Sequence, residues 1–375
     1  MSAGARADRI ARVRDRMALL GVDVLLLSHG ADLPWLTGYR AMPLERLTLL
    51  VLPVAGDPVL VVPGLEAPRV PDAGGLFALR PWSDAEDPLD LVVGLLRRGP
   101  AARLAVSDRA WATTVLALQQ RVPGAEWVEA SRVTSPIRAV KDGAELAALR
   151  AAGAAADRVA DVLQAGGIPL VGRSEAEVSA RLGALLVAEG HSAVNFAIVG
   201  SGPNAASPHH EPGSRVIGRD ETVVCDFGGT LSLDDGPGYC SDITRTVVTG
   251  TPSDEVARCY AILLEAQQSA VAAARAGVTA ASVDAVARAV IEDAGLGDRF
   301  VHRTGHGIGI EEHEDPYLVV GNEEVLVPGH AFSVEPGIYL PGRFGMRLED
   351  IVVVGADGMP EPLNSADHRL GVVDA

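Results

Sequence analysis

The sequence predicts an α+β fold in two domains, on three observations. Beyond about residue 140, strand-like and helix-like stretches come in blocks rather than in strict alternation, which favours antiparallel sheet. Before that point, short apolar runs separated by Gly and Pro alternate with amphipathic stretches, the pattern of a smaller α/β domain with a mixed sheet. Between the two, SRVTSPIRAVKD (131–142) breaks the pattern at Pro136 and leads into an Ala-rich stretch. The boundary is placed there, with domains at 1–135 and 136–375.

In the first domain, residues 7–20 have helical amphipathic spacing that stops at Gly21. VDVLLLS follows as a buried strand, and Asp32 to Tyr39 reads as a turn. LTLLVLP (47–53) and PVLVVP (58–63) read as further strands. Residues 87–98 look helical, ARLAVS (102–107) extended, and 109–121 helical again.

In the second domain a long helix begins near Asp142. SEAEVSARLGALLVAEG is a second helix, with Ser174 as N-cap, Glu177 three residues on, and a stop at Gly190. Strands are expected at VNFAIVG (194–200), TVVCDFGG (222–229) and RTVVTG (245–250). Helices follow over roughly 253–275 and 283–294, then strands at AFSVEPGIYL and MRLEDIVVVG. No internal repeat is strong enough to claim.

Composition excludes several classes. Of the 375 residues 48% are hydrophobic and only 4% aromatic, so Ala, Val, Leu and Gly must fill the interior. Net charge is −17, from 32 basic and 49 acidic residues, which argues against nucleic acid or anionic membranes as partners. Cys225, Cys240 and Cys259 are odd in number and lack CxxC spacing, so no disulfide framework is expected. Cys225 reads as a small buried hydrophobe. MSAGARADRIARVRDRMALL carries charges throughout, with apolar runs too short for a signal peptide or a membrane span. A reducing cytoplasm is the expected location.

Five residues stand out as metal ligands: Asp226 in DFGG, Asp242 in SDITRT, His306 in GHGIG, Glu335 in EPGIY and Glu349 in RLEDIV. Asp226 and Glu335 end apolar strands, and Asp242 opens the second strand of an apparent hairpin. His306 lies between two glycines, which leaves room for a metal to approach. Buried acids without counter-charge cost several kcal/mol, a cost that cations remove. Four carboxylates and one imidazole form a hard, oxygen-rich set that suits a pair of divalent cations rather than a closed structural zinc site. Such a pair activates a bridging water for hydrolysis.

The arrangement closely resembles the pita-bread metallopeptidases, which include prolidase, aminopeptidase P, methionine aminopeptidase and the metal-free relative creatinase. The resemblance covers the whole chain. It implies an antiparallel catalytic domain flanked by helices, preceded by a creatinase-type N-terminal domain that carries DLPWLTGY. It further implies that Asp226 chelates the first metal, that Asp242 and Glu349 bridge both, and that His306 and Glu335 complete the second. The spacing of 16 between Asp226 and Asp242 is longer than usual, and SLDDG looks like a loop insertion. By resemblance His209 and His313 line the active site, with His313 at the scissile carbonyl, and His302 sits at a proline pocket. His210 could replace His209, although the register after Pro208 favours His209. Tyr339 and Arg347 resemble residues near the metals.

The reaction so implied is hydrolysis of the bond before proline by a hydroxide bridging two metals. Glu335 moves the proton and His313 stabilises the oxyanion. Mn²⁺ is favoured, with Co²⁺, Zn²⁺ or Fe²⁺ compatible. An enzyme limited to dipeptides needs an arginine for the substrate carboxylate. Arg347, Arg343 and Arg46 are candidates, the last acting on a partner subunit's site. The expected activity is Xaa-Pro dipeptidase, on small proline-containing peptides, from a homodimer. An Xaa-Pro aminopeptidase acting on longer peptides is the alternative, and a metal-free enzyme or binding module is a remote one.

Overall fold

A computed structural model describes residues 3–72, 74–96, 103–232 and 236–374. The ends of the expected helix at 87–98 and strand at 102–107, and Leu233 to Asp235 of the expected insertion, lie outside the described residues. By contacts the chain divides between Arg138 and Ala139.

In the first unit the elements run α1 (Ala3–Leu20), β1 (Val24–Leu27), α2 (Asp32–Thr37), β2 (Leu49–Pro53), β3 (Val59–Pro63), β4 (Ala78–Trp82), α3 (Pro88–Leu96), β5 (Arg103–Val106), α4 (Ala112–Arg121), β6 (Glu126–Glu129) and α5 (Ser131–Ala139). The strands form one mixed sheet, ordered β4-β3-β2-β1-β5-β6. β1 is antiparallel to β2 and parallel to β5. Its apolar VLLL sits at the centre of the sheet, where both faces are covered.

Three local readings are corrected. The segment 32–39 contains a short helix, α2, because Pro34 fits a first turn and left-handed Gly38 (φ 76°) closes it with its N–H on the Pro34 carbonyl. The strands β4 and β6, absent from the sequence reading, are the two edges of the sheet. Edge strands can be polar and carry Pro, as ALRPW and EWVE do. Pro136 does not break the chain but lies inside α5. Its missing N–H deprives the Arg132 carbonyl of a helical donor, and Arg16 Nε supplies one at 3.5 Å.

The second unit contains α6 (Gly143–Gln164), α7 (Glu175–Ala188), β7 (His191–Ser201), β8 (Thr222–Leu231), β9 (Tyr239–Cys240), β10 (Ile243–Thr249), α8 (Asp254–Ala273), α9 (Ala280–Asp293), β11 (Gly305–Gly307), β12 (Glu314–Leu318), β13 (Ala331–Val334), β14 (Gly337–Leu340), β15 (Phe344–Arg347), β16 (Asp350–Val354), β17 (Pro360–Pro362) and β18 (Gly371–Val373). Capping boxes start α6 at Asp142–Glu145 and α7 at Ser174–Glu177. One sheet is ordered β18-β10-β8-β7 with β9 on β8, and a second β12-β11-β13-β16-β17. β14 and β15 form a hairpin. Apart from the parallel β10–β18 pair, these ladders are antiparallel.

Each sheet has its own core. α6 and α7 pack Leu163, Val178 and Leu182 against Val223, Cys225 and Phe227 of β8. α8 and α9 pack Leu263, Ala270 and Val283 against Phe332, Val334 and Val352. The unit is thus built of two successive blocks, each two helices followed by antiparallel strands. Among the described residues no helix is long and apolar enough to cross a membrane.

Candidate metal centre

Strand alternation aims the ligands. On β8, Cys225 and Phe227 face the helix-packed core, so Asp226 between them points the other way. Asp226 pairs with Thr244 across the β8–β10 ladder, and Asp242 lies two residues before Thr244 on the same face. In the second sheet Val334 pairs with Asp350, which leaves Glu335 and Glu349 just past the end of that ladder, one from each strand. A backbone bond from Glu349 N–H to the Thr244 carbonyl (3.2 Å) ties the two sheets together there.

His306 sits in the middle of β11. Its flanking glycines are required by packing. A Cβ on Gly305 would lie 1.8 Å from the Ser333 carbonyl oxygen, and one on Gly307 2.2 Å from that of Asp315. β11 therefore fits between β12 and β13 only with glycine on either side of the histidine.

All five residues line one cavity of about 620 Å³. Asp242, His306 and Glu349 each offer a ligand atom within 4.8 Å of the others. His306 Nε2 is 3.2 Å from Glu335 Oε1 and 3.7 Å from Asp242 Oδ2. Asp226 Oδ1, Asp242 Oδ1 and Glu349 Oε1 are buried and accept no hydrogen bond. Each such oxygen is costly unless a cation faces it. The donor set therefore fits divalent metals: oxygen-rich, with one imidazole and open positions on three carboxylates.

The electrostatics agree. Burial pushes Asp242 well above the usual carboxylate range, and the charges of Glu349, Asp226 and Glu335 push it further. Glu349 is raised for the same reasons, by burial and then by Glu335 and Asp226. Asp226 is raised by burial and held back by Arg347. Glu335 differs: burial opposes its charge, but the hydrogen bond and charge of His306, with His302 and Arg347, hold it at about 2.

Partners set the imidazole tautomers. His306 Nδ1–H donates to the Gly307 carbonyl at 3.1 Å, which leaves Nε2 as the nitrogen turned toward the acids. His302 Nδ1–H donates to the Arg303 carbonyl (2.7 Å), so its Nε2 accepts from the Tyr339 hydroxyl (2.8 Å). Arg347 Nη1 in turn donates to the Tyr339 oxygen at 2.9 Å. Arg303 has only donors, so at 3.4 Å it donates to His313 Nδ1 and leaves the proton of His313 on Nε2. Burial lowers both His302 and His313 to about 4; the charges of His306 and Arg303 add to the effect at His313. Both are neutral near pH 7. His313 lines the cavity too, its ring 4.0 Å from that of His306.

His209 lines the cavity, whereas His210 turns away to Glu175 at 2.8 Å. His302 and Arg347 line it as well, with Tyr339 held between them. One expected arginine, Arg343, does not line it. Arg343 is exposed and pairs with Glu255. Arg46, in the first unit, pairs with Asp84 at 3.1 Å. Four features were not read from the sequence. Thr244 Oγ1 donates to Glu349 Oε2 at 2.6 Å and accepts from Arg347 Nε at 3.1 Å. Arg303 and Glu312 line the cavity, and Phe196, Ile198 and Pro208 give it an apolar wall. The sequence offers only weak signals for two of them, the alternation of Thr244 with Asp242 and the place of Arg303 in HRTGHG.

Residues 146–356 match the family model of metallopeptidase family M24, and residues 9–140 that of the creatinase/prolidase N-terminal domain. Over 370 residues the chain is 48% identical to a probable dipeptidase PepE of Mycobacterium tuberculosis (strain ATCC 25618 / H37Rv), covering 98% of this chain and 96% of that one. The solved structure of dipeptidase PepE from Mycobacterium ulcerans superposes with a TM-score of 0.92 at 47% identity, covering 99% of both chains. A prolidase from Thermococcus sibiricus superposes with a TM-score of 0.90 at 36% identity, covering 97% of this chain and 98% of that one.

Proposed function

This chain belongs to metallopeptidase family M24, and on that premise we propose that it is an Xaa-Pro dipeptidase, a hydrolase of the bond before proline in dipeptides. The observation that carries the reading is the set of buried, unpartnered oxygens on Asp226, Asp242 and Glu349, facing one cavity with His306 Nε2. Similarity to enzymes named dipeptidase and prolidase along nearly the whole chain supports the substrate class.

Asp226 would hold a first divalent metal, His306 and Glu335 a second, and Asp242 and Glu349 would bridge both; Mn²⁺ is the favoured ion. Bound there, the metals supply Lewis acidity and a water acidic enough to react near neutral pH. The chain's own groups do the rest. Glu335, ionised at neutral pH, accepts the proton of the attacking water and returns it to the proline nitrogen. His313 Nε2–H donates to the scissile carbonyl oxygen as charge builds on it. His209 and His302 flank the bound peptide. Phe196, Ile198 and Pro208 offer the proline ring an apolar surface. The same proposal includes a cytoplasmic homodimer, in which Arg46 reaches a partner's site; unchanged dipeptide turnover in Arg46→Ala would remove that part.

The deciding assay compares Ala-Pro with Ala-Pro-Ala, alongside metal analysis of the purified chain. The expected result is strong turnover of the dipeptide, lost on chelation and restored by Mn²⁺. Turnover of the tripeptide with none of the dipeptide would instead make the chain an Xaa-Pro aminopeptidase. Less than one metal per chain, with no response to Mn²⁺, would favour a metal-free relative.

A further inference from the structure

We propose that Arg303 reads the C-terminal carboxylate of the substrate and thereby sets the dipeptide limit. This rests on the Xaa-Pro dipeptidase reading and gives the carboxylate contact to a residue of the chain's own cavity, in place of the contact in trans that Arg46 would make.

Elimination comes first. Arg347 is buried and committed: it donates to Asp226 Oδ2, the Tyr339 oxygen, the Pro208 carbonyl and Thr244 Oγ1. Arg343 pairs with Glu255 at the surface, and Arg46 with Asp84. Arg303 lines the cavity, and among the described residues it has no carboxylate within ion-pair distance. Its guanidinium stacks on the Tyr317 ring at 4.5 Å, which holds it in place and leaves its N–H fork with a single weak acceptor, His313 Nδ1.

Geometry then matches the ligand. In an Xaa-Pro dipeptide the scissile carbonyl carbon and the carboxylate carbon are three bonds apart. Because the proline ring fixes φ, they lie about 3 Å from each other. The site offers two donors that are neighbours in the same way. His313 Nε2–H is suited to the carbonyl oxygen, and the Arg303 guanidinium, 3.4 Å from the other nitrogen of that ring, is suited to the carboxylate. A planar fork binds a carboxylate bidentately, whereas a peptide carbonyl at the same place offers one neutral oxygen. A longer peptide therefore loses the charged contact, and the preference for dipeptides follows.

The test uses the Mn²⁺-loaded full-length enzyme with Ala-Pro and its C-terminal amide. The wild type should favour the free acid by about 100-fold in kcat/KM, the size expected for a charged hydrogen-bonded contact. Arg303→Ala should lose about 100-fold more on the acid than on the amide, so that the preference for the free acid disappears, and Arg303→Lys should recover part of it. If Arg303 only orients His313, Arg303→Ala will lose the same factor on both substrates, which overturns the proposal. A wild type that cleaves acid and amide equally overturns it without any variant, whether or not Arg303→Ala folds. A wild type inactive on both removes the dipeptidase reading itself, an outcome distinct from either of these.

Discussion

Thr244 carries the least conspicuous role at the residue scale. Its hydroxyl donates to Glu349 Oε2 and accepts from Arg347 Nε, so it aims one acid while linking it to the arginine that pairs with Asp226. Groups that orient ligands in this way typically change metal affinity by about 10–100-fold. Thr244→Val keeps shape and β-branching, so the fold should survive. A titration should then give weaker Mn²⁺ binding by that factor, while the metal-stripped protein loses about 1–3 kcal/mol, the cost of leaving the buried Arg347 Nε–H without its acceptor. Wild-type affinity in this variant would show that Glu349 is held without the hydroxyl. The five acid and imidazole positions could be read from the chain because each lies in a distinctive phrase. Thr244 and Arg303 could not. A threonine inside a strand and an arginine in a loop are common, and only the ladder register and the stacking on Tyr317 single them out.

Among the elements, β11 is the tightest fit. It lies between β12 and β13 with His306 held at its centre, and the Ser333 carbonyl occupies the space where a Gly305 side chain would stand. Gly305→Ala must therefore move backbone, at a cost of about 3 kcal/mol or more. The expected outcome is a markedly lower melting temperature together with weaker metal binding, since the shift displaces His306. Native melting and metal content would refute the close fit. Legibility also divides by element. Central strands such as VLLL in β1 and TVVCD in β8 were readable because both faces are buried. β4 and β6 were not, because edge strands tolerate exposed polar residues and proline. The α5 helix was hidden by Pro136, whose missing N–H orphans the Arg132 carbonyl, and Arg16 meets that carbonyl from outside.

Across the whole molecule, the cost of the buried acids should appear as a pH dependence that metal reverses. Asp226, Asp242 and Glu349 have folded-state pKa values above the ordinary carboxylate range. The metal-stripped fold therefore holds protons that the unfolded chain has released. Its stability from these groups is full at low pH and is lost as pH rises beyond about 4 toward the raised values. Glu335, held near 2, gives the opposite slope, but only between that value and about 4. Metal binding requires the ionised acids, so protons compete with it and the loaded fold gains as pH rises. His302 and His313, neutral in the fold down to about 4, favour the folded state increasingly up to about pH 6.5 in both forms, so they largely cancel in the difference. Calorimetry at constant free Mn²⁺ should then show the melting gap between loaded and stripped protein widening from pH 5 to pH 8. At a free metal concentration of 100 times Kd, a single site contributes about 2.7 kcal/mol, which in a chain of this size is several degrees. A gap that is flat or narrows over that range would mean that the orphaned oxygens of Asp226, Asp242 and Glu349 are not where the cations bind.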